Sequence, residues 1–424
     1  MLKEKVSLEV KGSYRPEIDG LRAFAIFTVI LNHFNKDILP GGYLGVDIFF
    51  VISGYVITSS LSGRFSLNFR DFISGFYERR IKRLVPALSF FVLIASIFIC
   101  LVNASPGTSL KTGVTALFGV SNLYLLMQSI DYFAQSTQLN IFTHTWSLGV
   151  EEQFYFLFPV LIWVTGFGRQ TKNGYRNLFL VVLVLTIISL IGFIYIYSVN
   201  QSAAYFLMPT RFWEMASGCL IFLGFRKNSS IHKFVKSVPS FLVLALIFGI
   251  MYLPNSLAIF STCSVVFLSS VLIATLKKDT AAFNVLVNPN IVYIGHLSYS
   301  LYLWHWAVLS ISRWTIGIHL WSVPFQILLI FSLAKVSYKF IETPLRKGKW
   351  FKDRWKTFLI MGGIVASSIG GLIFLGKSRI IGSISRYLGI IELDNKTIAL
   401  SQNIPGTTID SIHVPFSFNE KDIQ

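Results

Sequence analysis

The sequence is poor in charged residues and in cysteine. Charged side chains make up 13% of its 424 residues and hydrophobic ones 53%, whereas soluble domains carry roughly 25% charge. Such a composition cannot cover a water-facing surface, which excludes a soluble enzyme, a disordered protein and a fibrous protein. Its 3 cysteines, Cys100, Cys219 and Cys263, lie in apolar runs and form no CxxC. They therefore support neither a disulfide framework nor a metal site.

Apolar runs of membrane-spanning length are abundant instead. A transmembrane helix needs roughly 20 mostly apolar residues, and the mean hydropathy of the chain is +0.62. The sequence therefore predicts an all-α, polytopic transmembrane helical bundle. The candidate runs are 19–36, 43–61, 86–104, 110–128, 146–166, 178–198, 206–225, 238–254, 257–276, 290–311, 323–341 and 357–376.

The net charge of +17 is concentrated in particular loops. Cytoplasmic loops of membrane proteins collect lysine and arginine, so we expect a cytoplasmic N-terminus and a membrane-lipid environment. The basic residues form no long tract, and no nucleic-acid partner is expected. The basic segments are the residues before the first run, 62–85, 167–177, 226–237, Lys277-Lys278 and 342–356.

The expected positions of these loops conflict with the number of apolar runs between them. Both 62–85 and 167–177 should be cytoplasmic, yet three apolar runs lie between them. One run must fail to cross, and 110–128 is the most polar of the three. We therefore expect about eleven spans, a C-terminus outside the cytoplasm and an extracytoplasmic tail at 377–424.

Ionisable residues within spans are costly and often functional. Arg22 and His33 are eleven residues apart, about three turns plus 20°, so they share a helix face with an axial separation of about 16 Å. With the N-terminus inside, the cation lies near the cytoplasm and the imidazole in the outer half. Asp47, in the second span, could pair with an arginine, accept a hydrogen bond from His33 or be a plain interfacial carboxylate.

Two further pairs of charged residues are candidates for binding or catalysis. Arg80 and Arg83, in the expected cytoplasmic loop, could clamp a phosphate or contact lipid headgroups. Glu151 and Glu152 open a span near the expected depth of His33. One of them is expected to orient the imidazole, and at most one, because adjacent helical residues point about 100° apart.

Two later segments add polar groups to the spans. Arg211 and Glu214, at i and i+3, could simply pair with each other. The aromatic and polar run 296–306 continues through mid-span, which an interfacial belt does not. A lining of this kind favours a cavity for a sugar or a cofactor.

Taken together, these motifs resemble the acyltransferase 3 family, integral membrane enzymes that O-acetylate cell-surface carbohydrates. The ordered set covers about residues 14–345. The matching segments are Asp19-Gly20-Leu21-Arg22 with His33, 45–55, Arg80-x-x-Arg83, 144–148, 151–155, 209–214, 298–305 and Glu342-Thr343-Pro344.

The resemblance implies a ten-span membrane acyltransferase domain at 1–345. A cytoplasmic linker and an eleventh helix would follow at 346–376. In some members that helix leads to an extracytoplasmic SGNH-type esterase-like domain. The tail 377–424 leaves no room for one, so we expect either a naturally short form or a truncated chain. An SGNH-type partner would then be separate.

The resemblance also implies the reaction and its location. Acetyl-CoA would enter from the cytoplasm of a bacterial cell and pass its acetyl group across the inner membrane, without a metal. The acceptor would be a hydroxyl of an O-antigen, another glycan or a lipid-linked glycan. His33 would act as a base or carry the acetyl group. A transporter or flippase of a sugar or lipid-linked intermediate is the rival interpretation.

The expected site residues fall into three groups. The catalytic candidates are His33, Glu151, Glu152 and Asp47. The candidates for binding the donor are Arg22, Arg80, Arg83 and Tyr155. The candidates for binding the acceptor are His144, Trp146, Arg211, Glu214, Ser298, Tyr302 and His305.

Overall fold

The fold is given by a computed structural model that describes residues 14–377 apart from 63, 65, 67, 104, 131–137, 225–237, 277, 279 and 349–352. All regular secondary structure in these residues is helical, which confirms the predicted all-α class. Of the expected tail at 377–424, residues 378–424 lie outside the described residues. The basic loop 226–237 lies outside them as well.

Helices make up most of the described chain. Three single 3₁₀ turns, at Gly42–Leu44, Thr143–Thr145 and Asn255–Leu257, precede longer helices. The α-helices are α1 (Pro16–Phe34), α2 (Gly45–Leu61), α3 (Phe69–Val102), α4 (Gly107–Leu117), α5 (Ser121–Ile130), α6 (Trp146–Val164), α7 (Gly174–Val199), α8 (Gln201–Phe206), α9 (Met208–Gly224), α10 (Ser240–Ile250), α11 (Ala258–Thr275), α12 (Ala281–Leu286), α13 (Pro289–Trp314), α14 (Val323–Val336), α15 (Thr343–Lys347) and α16 (Arg354–Lys377).

Six helical segments of the described chain are long and apolar enough to cross a membrane. They support an integral membrane protein, while the count of eleven spans and the orientation of the termini stay predictions. The six are Gly42–Leu61, Phe69–Val102, Gly174–Val199, Asn255–Thr275, Val323–Lys347 and Arg354–Lys377.

The segment 110–128, expected not to cross, consists of parts of two short helices. α4 and α5 have 11 and 10 residues and are separated by a turn at 118–120. At 1.5 Å per residue each is about 15–17 Å long, roughly half of a 30 Å hydrocarbon core. Neither helix can span a bilayer alone, which agrees with the expectation for this segment.

The expected loop 62–85 is wrong in its second part. α3 begins at Phe69, where the side chain of Asn68 accepts a hydrogen bond from the Asp71 amide, and it continues for 34 residues through Pro86. Arg80 and Arg83 therefore belong to a helix rather than to a loop. Their hydrophilic neighbours obscured this, because the part of a long helix that extends beyond the membrane can be as polar as a loop.

Two glycines allow the helices around the site to approach closely. A Cβ at Gly295 of α13 would lie 1.9 Å from the carbonyl oxygen of Asp19 in α1. A Cβ at Gly54 of α2 would lie 1.7 Å from the carbonyl oxygen of Met215 in α9. Small residues permit such contacts between membrane helices, and these bring α1, α2, α9 and α13 together.

A π-helical segment, Ser337–Glu342, joins α14 to α15. Pro344 follows it, and the widened turn relieves the clash that a proline ring makes with the carbonyl four residues earlier. Glu342, at the end of this segment, is buried and accepts a 3.0 Å hydrogen bond from Ser300 in α13. The motif at 342–344 thus ties the end of α14 to the central helix α13.

Candidate active site

A cavity lined by three arginines lies between α1, α2, α3, α6 and α13. Arg22 comes from α1, and Arg80 and Arg83 come from α3. The cavity encloses about 750 Å³ of empty space, part of it open to solvent. We call it the arginine pocket. Its other polar lining residues are Ser53, Ser147, Glu151, Tyr155, Ser298, Tyr299 and Tyr302.

The four residues predicted to bind the donor all line this pocket. The Arg80 guanidinium carbon lies 3.4 Å from the centre of the Tyr155 ring, and Nη2 lies 3.6 Å from Oε1 of Glu151. Arg22 has a 3.6 Å ion pair with Asp19, outside the lining. Three guanidinium groups therefore share a cavity that contains one carboxylate, Glu151, so its lining is positively charged.

Glu151 does not orient His33, contrary to our expectation. Its Oε1 accepts hydrogen bonds from the hydroxyls of Ser53 and Tyr155. Positions 151 and 155 lie on one face of α6, since they are i and i+4, and this face turns toward Arg80. The side chain of Glu152 lies against Gly119. Among the described contacts, neither glutamate reaches His33.

The partner of His33 is a second histidine. Nδ1 of His33 lies 3.0 Å from Nε2 of His305, and the two rings are parallel within 6°. Trp306 meets the His33 ring edge-on at 4.7 Å, and His144 meets the His305 ring at 5.7 Å. We call His33, His144 and His305 the histidine cluster. His144 and His305 are fully enclosed, while His33 is partly exposed.

The cluster has no metal-site geometry. Within the described part of the chain, no group of three or more His, Cys, Asp or Glu side chains is placed to hold a metal ion.

Tyr302 connects the arginine pocket with the histidine cluster. Its side chain lines the pocket, and its ring centre lies 5.4 Å from those of both His144 and His305. Its hydroxyl lies 2.7 Å from Oγ of Ser147 and donates to the carbonyl oxygen of His144 at 2.8 Å. The ring of Tyr302 thus lies between one end of the pocket and the histidine cluster.

Asp47, Arg211 and Glu214 form a separate buried ion-pair triad. Nη1 of Arg211 donates to Oδ1 of Asp47 at 2.7 Å and to Oε1 of Glu214 at 2.6 Å. The Arg211 guanidinium also lies over the rings of Tyr205 and Trp146, at 4.8 and 5.7 Å. Of the alternatives for Asp47, the structure thus has the arginine pair, and Arg211 pairs with Glu214 as well. None of the three lines the arginine pocket.

The sequence interpretation missed several residues of the site. Ser53, which received no role of its own from the sequence, donates a hydrogen bond to Glu151. Arg313 also received no role; its Nη2 donates to the carbonyl oxygen of His33 at 2.8 Å, and its guanidinium lies over Trp306. The isolated charge at position 313 was the available signal, since Arg313 is the only Lys or Arg between the apolar runs 290–311 and 323–341.

The described residues thus form an apolar helical bundle around a cationic cavity, one end of which lies beside a histidine pair. Residues 15–341 match the family described as "Acyltransferase domain". The chain belongs to the acyltransferase 3 family.

Similar proteins come from Staphylococcus aureus. The chain is 33% identical over 445 residues to the protein of strain MRSA252 named "Putative O-acetyltransferase SAR0937", which covers 97% of this chain and 71% of that protein. It is 35% identical over 358 residues to "O-acetyltransferase OatA" of strain NCTC 8325 / PS 47, covering 80% and 58%. No solved structure gives a significant match. Family and relatives together support an O-acetyltransferase role.

Proposed function

We propose that this protein moves an acetyl group from acetyl-CoA, bound from the cytoplasm, to a hydroxyl of a cell-surface carbohydrate outside the membrane. The observation that carries the proposal is a continuous arrangement: the arginine pocket leads through Tyr302 to the paired histidines. A cation-lined entrance suits the phosphates of coenzyme A, and an imidazole beyond it suits acyl transfer.

The charge of the pocket supports the choice of donor. Planar guanidinium groups bind phosphate oxygens through paired, charge-assisted hydrogen bonds. Arg80 is held in place by the Tyr155 ring and by Glu151, so little freedom is lost when a phosphate binds. Coenzyme A carries a pyrophosphate and a 3′-phosphate, and three arginines provide cations for both.

The histidine pair supports the choice of reaction. His33 would remove the proton from the acceptor hydroxyl while the hydroxyl oxygen attacks the thioester carbonyl carbon. The new C–O bond forms, the C–S bond breaks, and the proton passes from His33 to the departing thiolate, which leaves as the thiol of coenzyme A. A two-step route in which His33 first accepts the acetyl group has the same products.

Hydrolysis of acetyl-CoA by the purified protein in lipid nanodiscs tests this function, because water can replace the acceptor hydroxyl and carry away the acetyl group as acetate while the thiol of coenzyme A is released. We expect wild-type protein to release the thiol. His33→Gln should bind acetyl-CoA normally but release the thiol about 10²–10⁴-fold more slowly, the usual contribution of a general base. His319→Gln is the matched control, because His319 is exposed and outside the cluster.

The outcomes separate the enzyme from the rival transporter. A transporter would release no thiol, whether or not His33 is present. Wild-type protein that fails to bind acetyl-CoA would overturn the proposed donor. The acceptor side is measured in cells as acetate released from the envelope by mild alkali, which should fall in His33→Gln and not in His319→Gln.

A further inference from the structure

We infer that His305 is the positioning residue for His33, and that it fixes the His33 tautomer so that Nε2 is the reactive nitrogen. This inference deepens the proposed acyl transfer and rests on it. It replaces the carboxylate that sequence reasoning placed beside His33.

A backbone carbonyl fixes the tautomer of His305. Nδ1 of His305 lies 3.1 Å from the carbonyl oxygen of Leu301. A carbonyl oxygen only accepts hydrogen bonds, so Nδ1 of His305 must carry the hydrogen. A neutral imidazole has one donor nitrogen and one acceptor nitrogen. Nε2 of His305 is therefore an acceptor.

The hydrogen bond between the two rings then decides which nitrogen of His33 carries the hydrogen. Nδ1 of His33 lies 3.0 Å from that acceptor, Nε2 of His305, so Nδ1 of His33 must be the donor. The lone pair of a neutral His33 is then on Nε2, the nitrogen that does not face His305. In a histidine, the hydrogen bond made by one ring nitrogen decides which form the other nitrogen takes.

The surroundings favour a neutral His305. Its side chain is fully enclosed, and no carboxylate contacts it among the described residues. The nearby cation is Arg313, whose Nη2 donates to the carbonyl oxygen of His33. A second buried cation beside this guanidinium would be costly, because an ion loses its hydration on burial and gains no counter-charge here.

His305 is also held rigidly enough to position another ring. Besides the Leu301 hydrogen bond, its ring lies parallel to His33 at 5.2 Å, tilted against Tyr302 at 5.4 Å and edge-on to His144 at 5.7 Å. Catalytic triads use a buried carboxylate to hold the imidazole in one tautomer. Here a neutral imidazole would supply the same geometry without burying a negative charge.

Three substitutions at position 305 separate positioning from packing. Gln can place its amide oxygen near the former Nε2 and keep an acceptor for His33. Asn has its amide group near the former Nδ1, too far from His33, and Phe fills the ring volume without an acceptor. We expect His305→Gln to release coenzyme A within about threefold of the wild-type rate. His305→Asn and His305→Phe should lose about 100-fold in kcat, within the range of base catalysis.

The KM for acetyl-CoA should stay unchanged in all three variants, since the arginine pocket is intact. A merely structural His305 would instead make Gln and Asn equally damaging. Equal kcat in wild type, Gln and Asn would overturn the inference.

A spectroscopic measurement tests the tautomer without relying on turnover. The chain has 7 histidines, so ¹⁵N-histidine labelling in nanodiscs gives few signals, and His33→Gln identifies those of His33. We expect wild-type His33 to be protonated at Nδ1, and His305→Asn to return it to protonation at Nε2. Nε2 protonation in the wild type would overturn the assignment.

The two measurements also keep the failures apart. Wild-type protein that releases no coenzyme A would overturn the proposed function, whereas the tautomer would still be decided by the spectrum. Active wild-type protein with a fully active His305→Asn would leave the function in place and remove His305 from it.

Discussion

Arg211 and the arginines of the pocket are all enclosed cations, but their partners differ. Arg211 has two carboxylates within 2.7 Å, from Asp47 and Glu214, and its side chain is 4% exposed. Arg80 has one carboxylate at 3.6 Å, shared with a cavity that also contains Arg22 and Arg83, and its side chain is 16% exposed. Arg211 thus has two carboxylate partners, whereas Arg22 and Arg80 have one each, at 3.6 Å, and Arg83 has none among the described ion pairs.

This difference indicates what each group does. A buried cation surrounded by protein carboxylates is part of the fold, because removing it leaves uncompensated buried charge. Cations that face a cavity with too few carboxylates can form their strongest interactions only with a bound anion. The same residue type therefore stabilises the bundle between α2 and α9, and we propose that it binds the donor between α1, α3 and α6.

The largest effect should come from breaking the triad. Arg211→Leu leaves Asp47 and Glu214 buried without their cation, which should lower the free energy of unfolding by about 3–5 kcal/mol. Thermal unfolding of the detergent-solubilised protein would measure this. Arg80→Leu is the matched control and should change thermal stability much less. Equal stability of the two variants would remove the distinction between the sites.

Donor binding should show the next largest effect, with the roles reversed. Charge-assisted hydrogen bonds contribute about 1.5–3 kcal/mol each, so Arg83→Ala should raise the Kd for acetyl-CoA roughly 10- to 150-fold. Arg83→Lys should restore part of the affinity, since an ammonium group lacks the paired geometry. Arg79→Ala is the control, because Arg79 is exposed on the same helix and lies outside the pocket lining. Unchanged affinity in Arg83→Ala would favour a lipid contact instead.

Ionic strength should change donor binding by a smaller factor. Partly exposed charges are screened by salt, with a Debye length near 10 Å at 0.1 M. We expect acetyl-CoA binding, followed by calorimetry, to weaken several-fold between about 0.05 and 0.5 M salt. Arg83→Ala should show a flatter dependence. A salt-independent Kd in the wild type would contradict phosphate binding by the pocket.

The orientation of the helical bundle in the membrane can be tested without altering the ion-pair triad or the arginine pocket. In a cysteine-free background, a cysteine at Asn68 should react with a membrane-impermeant reagent only after permeabilisation. A cysteine at Leu320, which is 95% exposed between α13 and α14, should react in intact cells. The reverse pattern would place the opening of the arginine pocket outside and would exclude a cytoplasmic donor.

Several features of the site could be predicted from the sequence because they depend on local spacing or on motifs. Arg22, Arg80, Arg83 and Tyr155 were grouped as one donor site, and the structure places all four in one cavity. The i,i+3 spacing of Arg211 and Glu214 indicated their pairing. The polar run 296–306 indicated a cavity, and Ser298 and Tyr302 line it.

Other features could not be predicted because they depend on which helices meet. One of Glu151 and Glu152 was assigned to His33 from its expected depth alone, and depth does not tell which neighbour a helix face touches. The charge pattern placed Arg80 in a loop. In the structure Arg80 lies in α3, and its side chain contacts Tyr155 and Glu151 of α6. Ser53 was missed because its partner, Glu151, lies 98 positions away in the sequence.

Composition and periodicity determined that this chain is a helical membrane protein, and the ordered motifs determined its family, because both are properties of the sequence itself. Only the tertiary structure decided the pairings of the site: His33 with His305, 272 positions apart, Glu151 with Ser53, and Asp47 with Arg211. The physical reason is that helical periodicity specifies which residues share a face, while close packing through residues such as Gly295 and Gly54 specifies which faces meet.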